Sequence, residues 1–167
     1  MNRLPLAICA MLIDTPSFAE VGVQCLAAGP KDTFNITKEA NYDIRHSEAV
    51  IDLAGFSAGR TFDVTGSCAG AEGFHPLAVN KGASFLAWLP TIADGDRLAT
   101  VLIETLGAAQ TIAFTIDVDD ATGTRHIPVL FDKVVGATES LIIKGKQISA
   151  QMDANADVRL DTDTCTS

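Results

Sequence analysis

Apolar side chains recur at every second position along much of this chain, which is the period of a β-strand with one face buried. The clearest run is 110–120. Ile112, Phe114, Ile116 and Val118 fall on one face, and Thr115, Asp117 and Asp119 take the other. The same alternation, weaker, marks 21–26, then Phe34 and Ile36, and a continuation through Tyr42, Ile44 and His46. Val50, Ile51 and Leu53 lead to Gly55, and Phe62 and Val64 mark another short strand. In 83–90, Phe85, Ala87 and Leu89 share one face while Leu86 and Trp88 share the other. Apolar residues on both faces predict a strand in the middle of a sheet, ended by Pro90. Past position 120, Ile127, Val129 and Phe131 alternate again, followed by 141–143, by Ile148, Ala150 and Met152, and by Val158 and Leu160.

Turn chemistry punctuates these runs. Ala27-Ala28-Gly29-Pro30, the small-residue stretch 66–73, Asn80-Lys81-Gly82, Lys144-Gly145-Lys146 and 153–157 all read as loops or turns. The segment 97–106 is ambiguous. Leu98, Leu102 and Leu106 have helical spacing, with Asp96 as N-cap and Gly107 as stop, so a short helix at 96–106 is one reading. The β-branched Thr100, Val101, Ile103 and Thr105, and the short connection into the next strand, favour a strand. Many short strands joined by Gly-rich turns predict an all-β chain folded as an antiparallel β-sandwich, immunoglobulin-like or jelly-roll-like.

The first residues differ from this pattern. Arg3 precedes an uncharged apolar run from Leu4 to Ile13, and Ser17-x-Ala19 provides a small-residue exit, the three parts of a secretory signal peptide. The expected organisation is therefore a signal peptide at 1–19 and a single secreted domain at 20–167, periplasmic or extracellular. Arg3 and Asp14 cancel, so the domain keeps the formal net charge of −9. Such a charge disfavours nucleic acid and anionic membranes and suits cations. No later apolar run reaches the length of a membrane span. Cys25, Cys68 and Cys165 would then meet an oxidising compartment, with their pairing open.

The acidic end of the 110–120 run is the strongest candidate for chemistry. Asp117 and Asp119 share a strand face, and Asp120 begins a turn. If 97–106 were a strand in a hairpin with 110–118, Asp94 and Asp96 would lie at the same end of the sandwich. Asp94, Asp96, Asp117, Asp119 and Asp120 are thus the expected ligands of a calcium ion, which takes six to eight oxygen donors. Asp153-x-Asn155-x-Asp157 repeats the opening of a helix-loop-helix calcium loop, but Val158 replaces the required Gly and Thr164 replaces the bidentate Glu. It reads as a solvated hairpin turn. His46, His75 and His126 stand singly, and no nucleophile elbow or phosphate-binding glycine loop occurs, which argues against an enzyme.

Ala28-Gly29-Pro30-Lys31-Asp32-x-Phe34, Phe62-Asp63-Val64-Thr65-Gly66, Asp94-Gly95-Asp96, 114–120 and Gly136-Ala137, in that order, resemble small bacterial secreted proteins of the "aggregation factor core" family. That family is named after the core protein of the sponge aggregation factor. The resemblance covers roughly 27–137, and Lys133-Val134-Val135 departs from the acidic residue common before the Gly-Ala pair. It implies calcium-dependent cell adhesion through an extracellular β-rich protein. The first expectation is therefore a non-enzymatic adhesion or aggregation module that binds calcium and a protein or glycan surface. The alternative is a metal-free periplasmic module, protein- or glycan-binding or inhibitory.

Overall fold

The structure, a computed structural model, describes residues 20–27, 31–39, 41–55, 59–65, 73–120 and 134–162. The expected signal peptide, the alternating run at 127–131, and Cys68 and Cys165 lie outside these residues. Ten strands are described: β1 (Glu20–Leu26), β2 (Asp32–Lys38), β3 (Ile44–Asp52), β4 (Arg60–Asp63), β5 (Ala78–Lys81), β6 (Leu98–Leu106), β7 (Thr111–Asp120), β8 (Thr138–Ile143), β9 (Lys146–Gln151) and β10 (Asp157–Asp161). They form two antiparallel sheets packed face to face, so the expected β-sandwich is the observed architecture.

One sheet runs β10-β1-β2-β7-β4, with β5 also paired to β7, and the other runs β6-β3-β8-β9. The core lies between them. Val21 and Val23 of β1, Phe34 and Ile36 of β2, and Ile112, Phe114, Ile116 and Val118 of β7 line one side. Ala49 and Ile51 of β3, Val101 and Ile103 of β6, and Leu141 of β8 line the other. Phe34 and Phe114, directly opposite each other in register, stack with ring centroids 5.3 Å apart. Each of these residues sits at the inward phase of a two-residue period, which is why the sequence alternation identifies them.

Three expectations meet their outcome here. First, 98–106 is the strand that its β-branched residues favour, and the alternative short helix does not form. Ala99, Val101 and Ile103 point inward, whereas the helix-spaced Leu98 and Leu102 fall on the outer face. Second, β6 and β7 form no hairpin. β6 pairs with β3 in one sheet and β7 with β2, β4 and β5 in the other, so 107–110 crosses between sheets. The turn at 153–157 likewise joins β9 to β10 in opposite sheets. Its Asp153 carboxylate accepts hydrogen bonds from the Asp157 and then the Asn155 backbone amide, which hold its pKa below the usual carboxylate range.

Third, 83–90 is no central strand. Gly82 turns the chain in the left-handed region (φ 74°), where a Cβ would sit 2.5 Å from the Thr111 carbonyl oxygen. A single 3-10 turn, Ala83–Phe85, follows. Only Leu86 then bridges to Ile103, and Trp88 and Leu89 are left 63% and 62% exposed. Alternation alone does not give a segment a neighbouring strand on both edges, and this one has only the edge of β6.

Candidate metal centre

The acidic end of β7 is completed by β4. The two strands are antiparallel, with Arg60 opposite Asp120, Thr61 opposite Asp119, Phe62 opposite Val118 and Asp63 opposite Asp117. Phe62 and Val118 are fully buried in the sandwich core, which fixes the pleat. Thr61, Asp63, Asp117 and Asp119 therefore share the opposite, outer face of the sheet. Directly opposed residues in an antiparallel pair have Cβ atoms about 4.5–5.5 Å apart, close enough for short side chains to converge.

They do converge. One carboxylate oxygen from each of Asp63, Asp117 and Asp119 lies within 4.8 Å of the others. All three residues are buried, Asp63 completely, and so is Thr61 at 7% exposure. The Thr61 hydroxyl is enclosed and makes no hydrogen bond. A buried hydroxyl without a partner costs free energy. Here it stands directly across from Asp119 on the same face as the carboxylates.

Charge sharpens the picture. Two carboxylates 4.8 Å apart repel by about 3.5 kcal/mol at an effective dielectric of about 20. Three such pairs amount to about 10 kcal/mol, comparable with the whole stability of a typical domain. A cation placed among them would offset that repulsion. The donor set is entirely oxygen, without sulfur or imidazole, and that is the chemistry of a hard divalent cation. The cluster thus has the composition and spacing to hold a metal ion.

Of the five residues expected from sequence, Asp117 and Asp119 belong to this cluster and three are placed elsewhere. Asp120 has the opposite phase and faces Arg60 across the ladder, with Nη1 3.5 Å from its Oδ2. Asp94 accepts hydrogen bonds from the Val64 and Thr65 amides at 2.8 and 3.0 Å, and so anchors the turn that ends β4. Asp96 accepts one from the Ala93 amide at 2.7 Å. The 94–96 loop does come close to the acidic end of β7. It bonds to Phe62 through both backbone groups, but β4 stands between it and β7.

Two neighbours hold the strand ends that carry the cluster. Asp32, fully buried at the start of β2, accepts a hydrogen bond from the Val118 amide at 2.9 Å and extends the ladder where β2 ends. His75 donates its amide to the Asp63 carbonyl and accepts the Asp117 amide, filling the seam between β4 and β5 along β7. Its ring pairs with Thr115. His75 thus ties β4 to β7 through its backbone.

Asp63 and Thr61 were missed by reading along the chain. The signal was present: Thr61 and Asp63 alternate with Phe62 and Val64, so the polar phase of a second strand carries an acid. What the sequence does not provide is the register that sets this strand beside β7. No protein-family model matches the chain, and no curated protein matches it at a significant level.

Proposed function

We propose that the protein is an extracytoplasmic β-sandwich module of adhesion or aggregation type whose six-stranded sheet is completed by a calcium ion bound to Asp63, Asp117 and Asp119, with Thr61 as a further oxygen donor. The observation that carries the reading is the convergence of three buried carboxylates beside a buried hydroxyl that makes no hydrogen bond. Calcium is preferred to magnesium because a site built from neighbouring strands offers irregular oxygen geometry, which calcium tolerates and magnesium does not. The remaining coordination positions would be filled by backbone carbonyls or water.

The ion would act as a clamp between the short β4 and the long β7, which share only four registered pairs. The net charge of −9 and the signal-like first residues support a role outside the cytoplasm, where calcium is abundant. The resemblance to the aggregation factor core family supports adhesion as the task. Calorimetric titration of the protein with calcium chloride tests the ion. One saturable site is expected, lost in Asp63→Asn, and absence of heat at millimolar calcium would refute the reading. Coated-bead clustering in calcium against chelator tests adhesion. Clustering in calcium alone is expected, and equal dispersion in both would rule it out.

A further inference from the structure

The second sheet carries a different feature. The chain's single tryptophan, Trp88, is 63% exposed beside the edge strand β6. It is held there by the Leu86–Ile103 bridge and by the Ala87 amide donating to the Leu102 carbonyl at 2.9 Å. Trp88, Ala87, Leu102, Glu48, Glu104 and His46 line one shallow groove of about 240 Å³. Glu48 lies directly opposite Leu102, and Glu104 is two residues further along the same face of β6.

The backbone is strained at this place. His46 has φ 47°, in the left-handed region that non-glycine residues seldom occupy. Pairing of β3 with β6 runs from Arg45–Thr105 to Ser47–Ile103 without a His46–Glu104 pair. The inward phase shifts there, from Ile44 and Leu106 to Ser47 and Ile103. The kink turns His46 and Glu104 outward together, with Nδ1 3.4 Å from Oε2.

We propose that this groove binds a cationic side chain, the guanidinium or ammonium of an arginine- or lysine-bearing segment of a partner protein. The electron-rich face of an exposed indole attracts cations. The two glutamates add negative charge of the same sense, and the chain's net charge of −9 steers basic partners toward it. A neutral sugar could stack on the indole but would draw no attraction from the charge of the two carboxylates. The groove belongs to the four-stranded sheet, whereas the acidic cluster belongs to the other, so neither proposal depends on the other.

The test uses a fluorescein-labelled tri-arginine amide peptide, followed by anisotropy in calcium buffer at low salt. Binding is expected to weaken about tenfold in Trp88→Ala and at least as much in the Glu48→Gln, Glu104→Gln double variant. Unlabelled peptide should also shift the emission of wild-type Trp88. Since Trp88 is exposed, its replacement should leave the melting midpoint unchanged, which separates lost binding from lost fold. Weakening in the glutamate variant with none in Trp88→Ala would show only diffuse attraction and overturn the proposal. So would a Trp88 emission shift with neutral cello-oligosaccharide and none with the peptide, which would make the groove a glycan site. Because calcium is present throughout, failure here leaves the ion reading standing.

Discussion

Asp119→Asn is predicted to stabilise the ion-free protein and to lose most of the stabilisation that calcium gives. Asp119 contributes to two of the three close carboxylate pairs, each within 4.8 Å and each repelling by about 3.5 kcal/mol. In chelator, the substitution therefore relieves a gross repulsion of about 7 kcal/mol. After relaxation and local screening, a net gain of about 1–3 kcal/mol is expected, or about 2–12 °C in midpoint at about 2–4 °C per kcal/mol. In calcium that advantage shrinks by about 2.3 kcal/mol. An ion a hundredfold above its dissociation constant stabilises by about 2.7 kcal/mol, and a variant bound a hundredfold more weakly retains only about 0.4 kcal/mol. Differential scanning fluorimetry in EGTA and in millimolar calcium reads both effects on the same preparation. If Asp119→Asn melts lower in EGTA and keeps the full calcium shift, the charge is balanced by basic side chains and the argument fails.

Three further outcomes follow from individual residues. Glu139, buried on the inner face of β8 with one oxygen that makes no hydrogen bond, is held well above the usual carboxylate range by burial and then by the Asp52 charge. The folded chain therefore keeps a proton that the unfolded chain has lost. Stability falls as pH rises from the ordinary value toward the raised one and stays lowered above it. The midpoint of Glu139→Gln minus that of wild type should accordingly grow from pH 4 to pH 8, and a flat or falling difference would contradict the burial argument. Phe114→Ala removes a fully buried ring stacked on Phe34 and should cost about 3–5 kcal/mol by urea unfolding. Asp94→Ala removes an acceptor of two backbone hydrogen bonds and should cost about 1–3 kcal/mol while leaving the calcium shift intact. Loss of that shift would return Asp94 to the ion site.

The part of the fold that sequence could reveal was the part set by local alternation. Phe34, Ile36, Phe114, Ile116 and Leu141 sit in the core because they have the inward phase of their strands, and that phase is visible in a single chain. Pairing is not local. The loop at 107–110 is short enough for a hairpin, yet it crosses between sheets, because β6 finds its partner in β3. The same gap explains the site. Asp117 and Asp119 could be recognised from the polar phase of β7, whereas Asp63 joins them only through the register of β4 on β7. Asp120 falls outside the cluster for a simpler reason: it is one residue out of phase, which sends its side chain to the other face beside Arg60. The 83–90 segment shows the converse failure, since its alternation was real and its second neighbour was absent.

The central claim is that a divalent ion completes the cluster formed by Asp63, Asp117 and Asp119. The most direct measurement is the melting midpoint of the wild-type protein in calcium against EGTA at equal ionic strength. The account predicts a rise of about 5–11 °C at calcium a hundredfold above the dissociation constant, reduced to about 1–2 °C in Asp63→Asn bound a hundredfold more weakly. An unchanged wild-type midpoint at millimolar calcium would contradict it.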